Sequence, residues 1–304
     1  MITIKPGTRM VGLQLPIQAQ SSYFVAPWET EAGPVELARI AKVCDEGGFG
    51  YLGVCDHVAI PEAAAKSMGA FWMDPISTLA WLAAHTERIA LLTHVFVLAY
   101  RHPAMAAKQF ATIDHLSGGR LVAGIGAGHV EAEFELLDVD FASRGALLDE
   151  SLPKMLHTLE NEVVDGFAAS PRPTQSPRPP IWVAGSSKPG VRRAAQFGDG
   201  WLPQSPASRE LVDGLLAQLD RFDRYAESFV IGHIAPPIFV GTPSWDVGKY
   251  TAWGSPDAIA SKVLAGLPDE VNQIQVRVVA RDVEECCDQL AAVADSVMPL
   301  LTEK

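Results

Sequence analysis

The sequence is poor in cysteine, in uninterrupted apolar runs and in positive charge, and each shortage excludes a class of protein. No stretch of about 18 consecutive apolar residues, as a membrane span needs, is present. The formal net charge of −12 argues against nucleic acid or an anionic membrane as a partner and favours a small molecule. The four cysteines lack disulfide or zinc-site spacing and are interpreted as reduced thiols: Cys44, Cys55, Cys286 and Cys287.

The first residues, MITIKPGTRMVGLQLP, lack the apolar core and the small-residue cleavage site of an export signal. We therefore expect a cytoplasmic protein. A length of 304 residues suits one large α/β domain, and neither a linker nor an internal repeat divides the chain. We expect a single domain over residues 1–304.

Short apolar segments alternate with helical patterns along the whole chain, which is typical of βαβ units around a parallel sheet. Helices are marked by start signals such as Asp74–Pro75 and by stop signals such as Gly118–Gly119. The strand-like segments are 10–17, 51–57, 89–98, 121–128, 181–187, 200–203, one within 229–240, and 271–279. Eight such segments predict a single (β/α)8 TIM barrel, with a doubly wound open sheet as the alternative.

A TIM barrel binds its ligands at the carboxyl ends of its strands, so the predicted strands also predict a site. The dipeptide Asp56–His57 follows the second strand, where an imidazole can exchange a proton near neutral pH or can merely help to fix a loop. The other candidates in chain order are Gln14, His94, the segments 126–133 and 185–187, and Arg277.

Two glycine-containing segments follow the fourth and fifth strands. A dinucleotide loop, G-x-G-x-x-G, needs glycine at position 129 and an early βα turn, whereas LVAGIGAG (121–128) is followed by His129 and belongs to the fourth strand. Its glycines predict either the close approach of a flat ring or phosphate, or a tight barrel corner. The segment VAGSSKPGVRR (183–193) precedes a helix whose free N–H groups either bind phosphate or are capped by serine.

Taken together, these segments resemble the luciferase-like monooxygenase superfamily, whose members bind FMN or the deazaflavin coenzyme F420 in a TIM barrel. The resemblance covers nearly the whole chain, and its GxGAGxxxxEF part (124–134) is closest to the actinobacterial-type F420-dependent oxidoreductase branch. It is carried by DHV (56–58), DPISTLAWLAAHTERIALLT (74–93), RHPAMAAKQFATIDHLSGGRLVAGIGAGHVEAEF (101–134), RGALLDESL (144–152) and PPIWVAGSSKPGVRRAAQFGDGWLP (179–203).

The resemblance implies a role for individual residues. His57 would transfer a proton to the substrate, and Asp56 would face the ring beside it as a second catalytic residue. In this branch the third strand often has a non-prolyl cis peptide that supports the ring, and here it would be His94–Val95, where the family usually has a small residue instead of histidine. The remaining cofactor contacts would be Gly126, Ala127, Gly128, His129 and Glu133 at the ring and ribityl chain, and Gly185, Ser186 and Ser187 at the phosphate.

The same resemblance implies a substrate pocket, a partner for the cofactor's acidic tail and a homodimer. The substrate pocket would include Gln14, Trp72 and Arg277. The basic residues available for the acidic tail are Arg101, Lys108, Arg192 and Arg193.

The leading hypothesis is an F420-dependent oxidoreductase that moves a hydride between the cofactor and a small organic substrate. The nearest alternative is an FMN-dependent monooxygenase that uses reduced flavin and oxygen. A barrel that binds a cofactor without turnover is a third hypothesis. A metal-dependent hydrolase would use Asp56, His57, His94 and His129, but these histidines lie singly on separate segments, so no metal is expected.

Overall fold

The computed structural model describes residues 4–19 and 25–304, and the prediction of one domain over 1–304 includes residues 1–3 and 20–24, which lie outside this range. The barrel strands are β1 (Met10–Gln14), β2 (Tyr51–Val54), β3 (Ala90–Thr93), β4 (Leu121–Gly126), β5 (Ile181–Ala184), β6 (Gly200–Leu202), β7 (Val230–Ile234) and β8 (Gln273–Val276). The helices that follow them in turn are α1 (Pro34–Glu46), α2 (Pro75–His85), α3 (Pro103–Leu116), α4 (Arg144–Glu160), α5 (Lys188–Phe197), α6 (Arg209–Arg221), α7 (Pro256–Leu264) and α8 (Val283–Ala292).

The eight strands are all parallel and close on themselves. Each pairs with the next in the chain, and β8 pairs with β1 in the register Gln273↔Met10 to Val276↔Leu13. A doubly wound open sheet would leave β1 and β8 without this pairing. The predicted (β/α)8 TIM barrel is therefore confirmed, and the open-sheet alternative is wrong.

The barrel also has shorter helices and strands in addition to these eight strands and eight helices. The 3-10 helices are Pro27–Thr30, Glu62–Ala64, Leu98–Tyr100, Phe141–Ser143 and Ala226–Ser228; the short α-helices are Ala65–Met68, Glu131–Leu136 and Met298–Thr302, with a π-helix at Val293–Val297. Outside the barrel are the hairpin Val163–Val164 with Phe167–Ala168, the parallel pair Ile238–Val240 with Ala252–Gly254, and the strand Phe96–Val97, which pairs with β4. No helix among the described residues is long and apolar enough to cross a membrane.

Two of the predicted strands are interrupted. The third, predicted over 89–98, stops at Thr93 and resumes at Phe96–Val97, with a cis peptide bond at His94–Val95 between the two parts. The cis peptide bond that the resemblance implied at His94–Val95 is thus present in the structure. The segment 229–240 contains two strands instead of one, separated by residues 235–237, of which Pro236 and Pro237 have no N–H to donate.

The local signals explain why the helices begin and end where they do. The carboxylate of Asp74 accepts a hydrogen bond from the Ser77 amide at 2.7 Å, and Pro75 occupies the first turn of α2. Glycines mark the end of a helix: Gly118 and Gly119, directly after α3, have positive φ and terminate it.

The barrel interior is filled at its amino-terminal side by large buried side chains. The rings of Tyr51 and Trp182 meet edge to face, with their centroids 5.8 Å apart, and pack with Leu92, Val122 and Leu202. A second and larger apolar cluster lies between the strands and the surrounding helices. The packed interior leaves space for a ligand at the carboxyl end of the strands.

Candidate active site

A cavity of about 1030 Å³ opens at the carboxyl ends of the strands. Every barrel strand contributes to it, as the fold requires of a ligand site. Its lining includes one residue at or near the carboxyl end of each strand in order: Gln14, Cys55, His94, Gly126, Ala184, Leu202, Ile234 and Gln275. Most of the residues predicted from the sequence therefore share one cavity.

The glycines of β4 are required by their own neighbours. A Cβ on Gly124 would lie 2.0 Å from the Thr93 carbonyl oxygen, and one on Gly126 would lie 2.6 Å from Cγ2 of Val95. Gly128 has φ +81 and faces Phe134 closely. Internal packing is thus sufficient to explain glycine here, and Gly126 and Gly128 line the cavity together with the side chains of Val95 and Val97.

His57 is held by a carboxylate from a distant part of the chain. Its Nδ1 lies 2.9 Å from Oε2 of Glu133, and both side chains are nearly buried. The other carboxylate oxygen of Glu133 accepts from the backbone amides of Val58 at 2.5 Å and Ala59 at 3.3 Å. This set of contacts fixes the loop after β2 and leaves Nε2 of His57 as the nitrogen that is available for exchange.

The electrostatics of the pair favour an ionised glutamate. Burial alone would raise the pKa of Glu133, but the hydrogen bond and charge of His57 and the two backbone amides outweigh it and lower the pKa. The adjacent His129, whose ring centroid is 5.5 Å from that of His57, has its pKa lowered by burial and by the nearby His57. Trp72 packs against the other side of His57, with centroids 4.3 Å apart.

Asp56, which precedes His57 in the chain, has a different environment. Its oxygens accept from Arg101 Nη1 at 2.5 Å and Nη2 at 2.9 Å, and from the Val97 amide at 2.8 Å. Burial alone would lower the pKa of Arg101, but the hydrogen bonds and charge of Asp56 raise it. Asp56 lines the cavity as predicted, yet its oxygens are engaged in joining β2 to the segment after β3.

The third strand and the floor of the cavity supply uncharged polar groups. His94 lines the cavity, and burial lowers its pKa to about 4, so it is neutral near pH 7. Nε2 of Gln275 donates to Oε1 of Gln14 at 3.1 Å, and Nε2 of Gln14 contacts Sγ of Cys55 at 3.6 Å. Burial raises the pKa of the Cys55 thiol.

The amino terminus of α5 forms the opposite end of the cavity. Ser187 caps the helix by accepting from the Gly190 amide at 3.3 Å, and a Cβ on Gly190 would lie 3.0 Å from the Gly185 carbonyl oxygen. Gly185 and Ser187 line the cavity as predicted. Ser186 differs from its prediction, because its hydroxyl accepts from the Gln204 amide and it lies outside the cavity lining of the described residues.

Two cations lie at this end, and one of them was not predicted. Arg193 binds Asp149 at 2.7 Å through Nε and Gly145 O at 3.0 Å through Nη2. Arg144, the first residue of α4, stacks on Phe141 with its guanidinium carbon 3.8 Å from the ring centroid. Both arginines line the cavity.

All four basic residues proposed for the acidic tail, Arg193 included, have partners within the chain. Arg101 binds Asp56, Arg192 binds Asp149 at 2.9 Å, and Lys108 donates to the Ser170 carbonyl oxygen. Paired cations are less available to a ligand because binding must first separate them from their partners.

Arg277 is not among the residues that line this cavity, although its charge acts on Cys55, which does line it. It lines a second cavity, of about 560 Å³, and binds Glu29 at 3.3 Å. Gln14 and Trp72 line the first. The metal hypothesis has no ligand set, since no group of three or more His, Cys, Asp or Glu side chains in residues 4–19 and 25–304 is placed to hold an ion.

Among the lining residues that sequence reasoning overlooked are Arg144, Gln275 and Cys55. Arg144 was quoted only as part of RGALLDESL, and its position at a helix start was the available signal. Gln275 lies on the predicted eighth strand, two residues before Arg277, and strand alternation could have placed both near the mouth. Cys55 was interpreted as a structural thiol, and nothing local distinguishes it.

Comparisons with known proteins identify the family. The luciferase-like monooxygenase family model matches residues 17–244, well over half of the chain. A 4-hydroxyprotoasukamycin monooxygenase of Streptomyces nodosus subsp. asukaensis is 31% identical over 195 residues, which are 59% of this chain and 50% of that protein. An F420-dependent glucose-6-phosphate dehydrogenase of Nakamurella multipartita is 28% identical over 218 residues, 64% of this chain and 63% of that protein.

The chain thus spans half or somewhat more of the length of these two curated relatives. Its fold matches solved structures over nearly its whole length. The monooxygenase RslO1 from Streptomyces bottropensis superposes with a TM-score of 0.76, at 20% identity, over 95% of this chain and 99% of that one. The family match, the closed barrel and the cavity agree, and the chain belongs to the luciferase-like monooxygenase family.

Proposed function

We propose that the chain is an oxidoreductase that uses the deazaflavin coenzyme F420 to transfer a hydride to or from a small organic substrate. The observation that carries the proposal is the His57–Glu133 pair, with 2.9 Å between Nδ1 and Oε2, at the edge of the cavity. An imidazole that is held in place by a hydrogen bond to an ionised carboxylate can act as the general acid or base for a reacting oxygen. The F420-dependent dehydrogenase relative supports the choice of cofactor.

The residues at the two ends of the cavity fit such a cofactor. A ring fits against the apolar wall formed by Gly126, Gly128 and Val95. A phosphate fits at Ser187, at the amino terminus of the ten-residue helix α5, near Arg193. Between these ends we propose further contacts from His94, Ala127, His129, Glu133 and Gly185, all of which line the cavity.

When bound, the deazaflavin supplies the carbon that accepts or gives up the hydride. The chain itself handles the proton. With Nδ1 of His57 donating to Glu133, Nε2 accepts the hydroxyl proton of an alcohol, or returns it to a carbonyl oxygen in the reverse direction. Glu133 stabilises the imidazolium that forms in the first case, and Asp56 positions the loop through Arg101.

An FMN-dependent monooxygenase is the second candidate. It is favoured by the 31% identity to the Streptomyces nodosus monooxygenase. In that case the same cavity would hold reduced flavin, and oxygen would be a substrate. The two candidates differ in whether turnover requires oxygen.

Turnover with and without oxygen tests the proposal. Purified protein loaded with reduced FMN or with F420, oxidised for alcohols and sugar phosphates and reduced for ketones, is supplied with these substrates in air and under argon. We expect turnover with F420 at the same rate under both atmospheres. Turnover that appears only with reduced FMN and oxygen would reject the F420 proposal and support the second candidate.

We also propose that the protein is a homodimer, as the resemblance implies, and that it is cytoplasmic. Met105 and Leu116 on α3 are 60% and 64% exposed, and such side chains suit a contact with a second copy. Sedimentation velocity at micromolar concentration and fractionation of the source cells would check the two parts separately. A monomer at all concentrations would contradict the first.

A further inference from the structure

The imidazole of His94 faces the cavity of about 1030 Å³. Among the residues that the structure describes, neither of its ring nitrogens has a hydrogen-bond partner. Neither nitrogen is among the fully enclosed polar atoms that lack a partner, so both reach the open space of the cavity. His233 differs, because its Nδ1 accepts from the Ala207 amide and it is not among the lining residues. The hydrogen bonds of His94 are therefore left for a ligand.

His94 lies beside the wall against which the cofactor ring is proposed to fit. Leu92, two residues earlier on β3, belongs to the buried cluster inside the barrel, and strand alternation points His94 to the same side. The next residue is Val95, whose Cγ2 would lie 2.6 Å from a Cβ on Gly126. Toward β2, Cβ of His94 would lie 3.3 Å from a Cβ on Gly53. The imidazole is thus held at the floor of the cavity, next to the wall that contains Gly126 and Val95.

The floor of the cavity is polar on one side and apolar on the other. At the carboxyl ends of β8, β1, β2 and β3, which are neighbours in the barrel, lie the polar side chains Gln275, Gln14, Cys55 and His94. At the same ends of β4 to β7 lie Gly126, Ala184, Leu202 and Ile234. In the polar group, Gln275 binds Gln14, and Gln14 contacts Cys55. His94 is the member of this group whose side chain makes no hydrogen bond within the described part of the chain.

The imidazole offers one hydrogen-bond donor and one acceptor. Burial lowers the pKa of His94 to about 4, so the ring is neutral at pH 7. Polar atoms that lose water without gaining a partner are costly, so a ligand that covers His94 must bring groups that match it. The pyrimidine edge of a flavin or deazaflavin ring carries carbonyl oxygens and an N–H group, which supply both an acceptor and a donor. The opposite edge carries a hydroxyl group in F420 and methyl groups in FMN, so it offers fewer such groups.

We propose that His94 binds the pyrimidine edge of the cofactor ring through hydrogen bonds and stabilises the reduced ring relative to the oxidised one. This inference rests on the proposed function and deepens it, because it assigns control of the cofactor's redox balance to one residue of the chain. Hydrogen bonds to a ring edge are one of the means by which a protein tunes a bound cofactor. Reduction adds electron density to the pyrimidine edge, and an N–H group binds an electron-rich acceptor more strongly.

The affinities for oxidised and reduced F420, measured by isothermal titration calorimetry under argon, test this inference. We expect His94→Phe to raise the dissociation constant of oxidised F420 about 3- to 10-fold, the loss of one hydrogen bond, and that of reduced F420 by a further factor of about 3 to 10. His94→Gln keeps a donor and an acceptor and should stay within about threefold of wild type. Wild-type affinity of His94→Phe for both forms, or an equal loss for both, would overturn the inference.

His233→Phe is the matched control, because it makes the same replacement at another histidine whose pKa burial lowers to about 4 but which is not among the lining residues. We expect it to bind both forms of F420 as the wild type does, and losses equal to those of His94→Phe would overturn the inference. The absorption spectrum of bound oxidised F420 is a second readout. Its maximum should shift in His94→Phe and return in His94→Gln, and an unshifted maximum in His94→Phe would also overturn the inference. If His94→Phe does not fold, as judged by circular dichroism, His94→Leu takes its place.

The same titrations with oxidised and reduced FMN separate this inference from the proposed function, because both rings have the pyrimidine edge. Binding of FMN instead of F420, with the reduced form weakened more in His94→Phe, would reject F420 as the cofactor and support the role of His94. Binding of F420 with no difference between wild type and His94→Phe would reject the role of His94 and leave the cofactor proposal standing. Binding of neither cofactor would reject both.

Discussion

Asp56 and His57 are neighbours in the chain, and each binds a side chain from a distant element, Arg101 and Glu133 respectively. The two contacts leave the two residues with different chemical roles. Asp56 is bound on both oxygens by Arg101 and the Val97 amide. His57 is bound on one nitrogen by Glu133 and keeps the other. A fully satisfied pair can only hold the structure, whereas a half-satisfied imidazole can also exchange a proton.

The difference shows that membership of a cavity does not define a chemical role. Both residues line the same cavity and follow the same strand. The two residues differ in the hydrogen bonds that they can still make. Asp56 therefore has a structural role, whereas His57 can act as an acid or base. The following variants test this distinction, from the largest expected effect to the smallest.

Replacing His57 should have the largest effect on turnover. We expect His57→Ala to lower kcat/KM about 10²- to 10⁴-fold, the usual contribution of a general acid or base. The dissociation constant for F420 should change less than about threefold, since His57 supplies the proton and contributes little to the affinity. His115→Ala, on the exposed side of α3, is the control and should keep wild-type turnover. Unchanged turnover in His57→Ala would remove His57 from the mechanism.

Replacing Arg101 should have the largest effect on stability. Arg101→Met leaves the buried carboxylate of Asp56 without its cation, and we expect the free energy of unfolding to fall by about 3–5 kcal/mol. Urea denaturation at pH 7.5 measures it. The matched control is Arg39→Met, which removes an ion pair with Glu284 whose side chains are 46% and 68% exposed, and which should cost less than about 1 kcal/mol. Equal losses in the two variants would contradict the account of Asp56.

Replacing Glu133 should have an intermediate effect. Glu133→Gln keeps a side chain of the same shape but removes the charge that stabilises the imidazolium, so kcat/KM should fall about 10- to 100-fold, as for one hydrogen bond to a charged group. Glu131→Gln is the control, because Glu131 is exposed two residues earlier on the same helix. A variant Glu133→Gln as active as Glu131→Gln would mean that His57 works without its carboxylate.

Replacing a buried histidine that has no carboxylate partner should have the smallest effect. The effect is on the free energy of unfolding, and it depends on pH. Burial lowers the pKa of His233 to about 4, below its ordinary value of 6.5, and the Ala207 amide donates to its Nδ1. The unfolded chain therefore binds more protons between these values, so stability is complete above pH 6.5 and is lost as the pH falls toward 4.

His233→Asn should reduce this acid-induced loss by about 2 kcal/mol. Urea titrations of both proteins at pH 7.5 and pH 4.5 measure the difference. His94, whose pKa is also lowered to about 4, contributes in the same direction and keeps part of the effect in the variant. An identical pH dependence in the two proteins would show that His233 is not the source.

The fold was predictable because its signals are local. Asp74 and Pro75 begin α2 and the Gly118–Gly119 pair ends α3, so alternation of strand and helix could be read along the chain. The rule that ligands bind at the strand ends then gave candidate residues most of which line the cavity. The interruption of the third strand was predictable only from the family resemblance.

The pairings within the site were not predictable. His57 and Glu133 are 76 residues apart, and Asp56 and Arg101 are 45 apart, so only the closed barrel brings them together. The same long-range packing places Arg277 in the second cavity and Gln275 in the first. Gln275 on β8 and Arg277, just after the end of that strand, thus line different cavities, and a sequence pattern does not encode that choice.

The most direct test of the central claim is equilibrium titration of the purified apoprotein with F420 and, separately, with FMN. We expect saturable binding of one F420 per chain, with a dissociation constant at least about tenfold below that for FMN, which corresponds to about 1.4 kcal/mol. Tight binding of FMN with no binding of F420 would contradict the account.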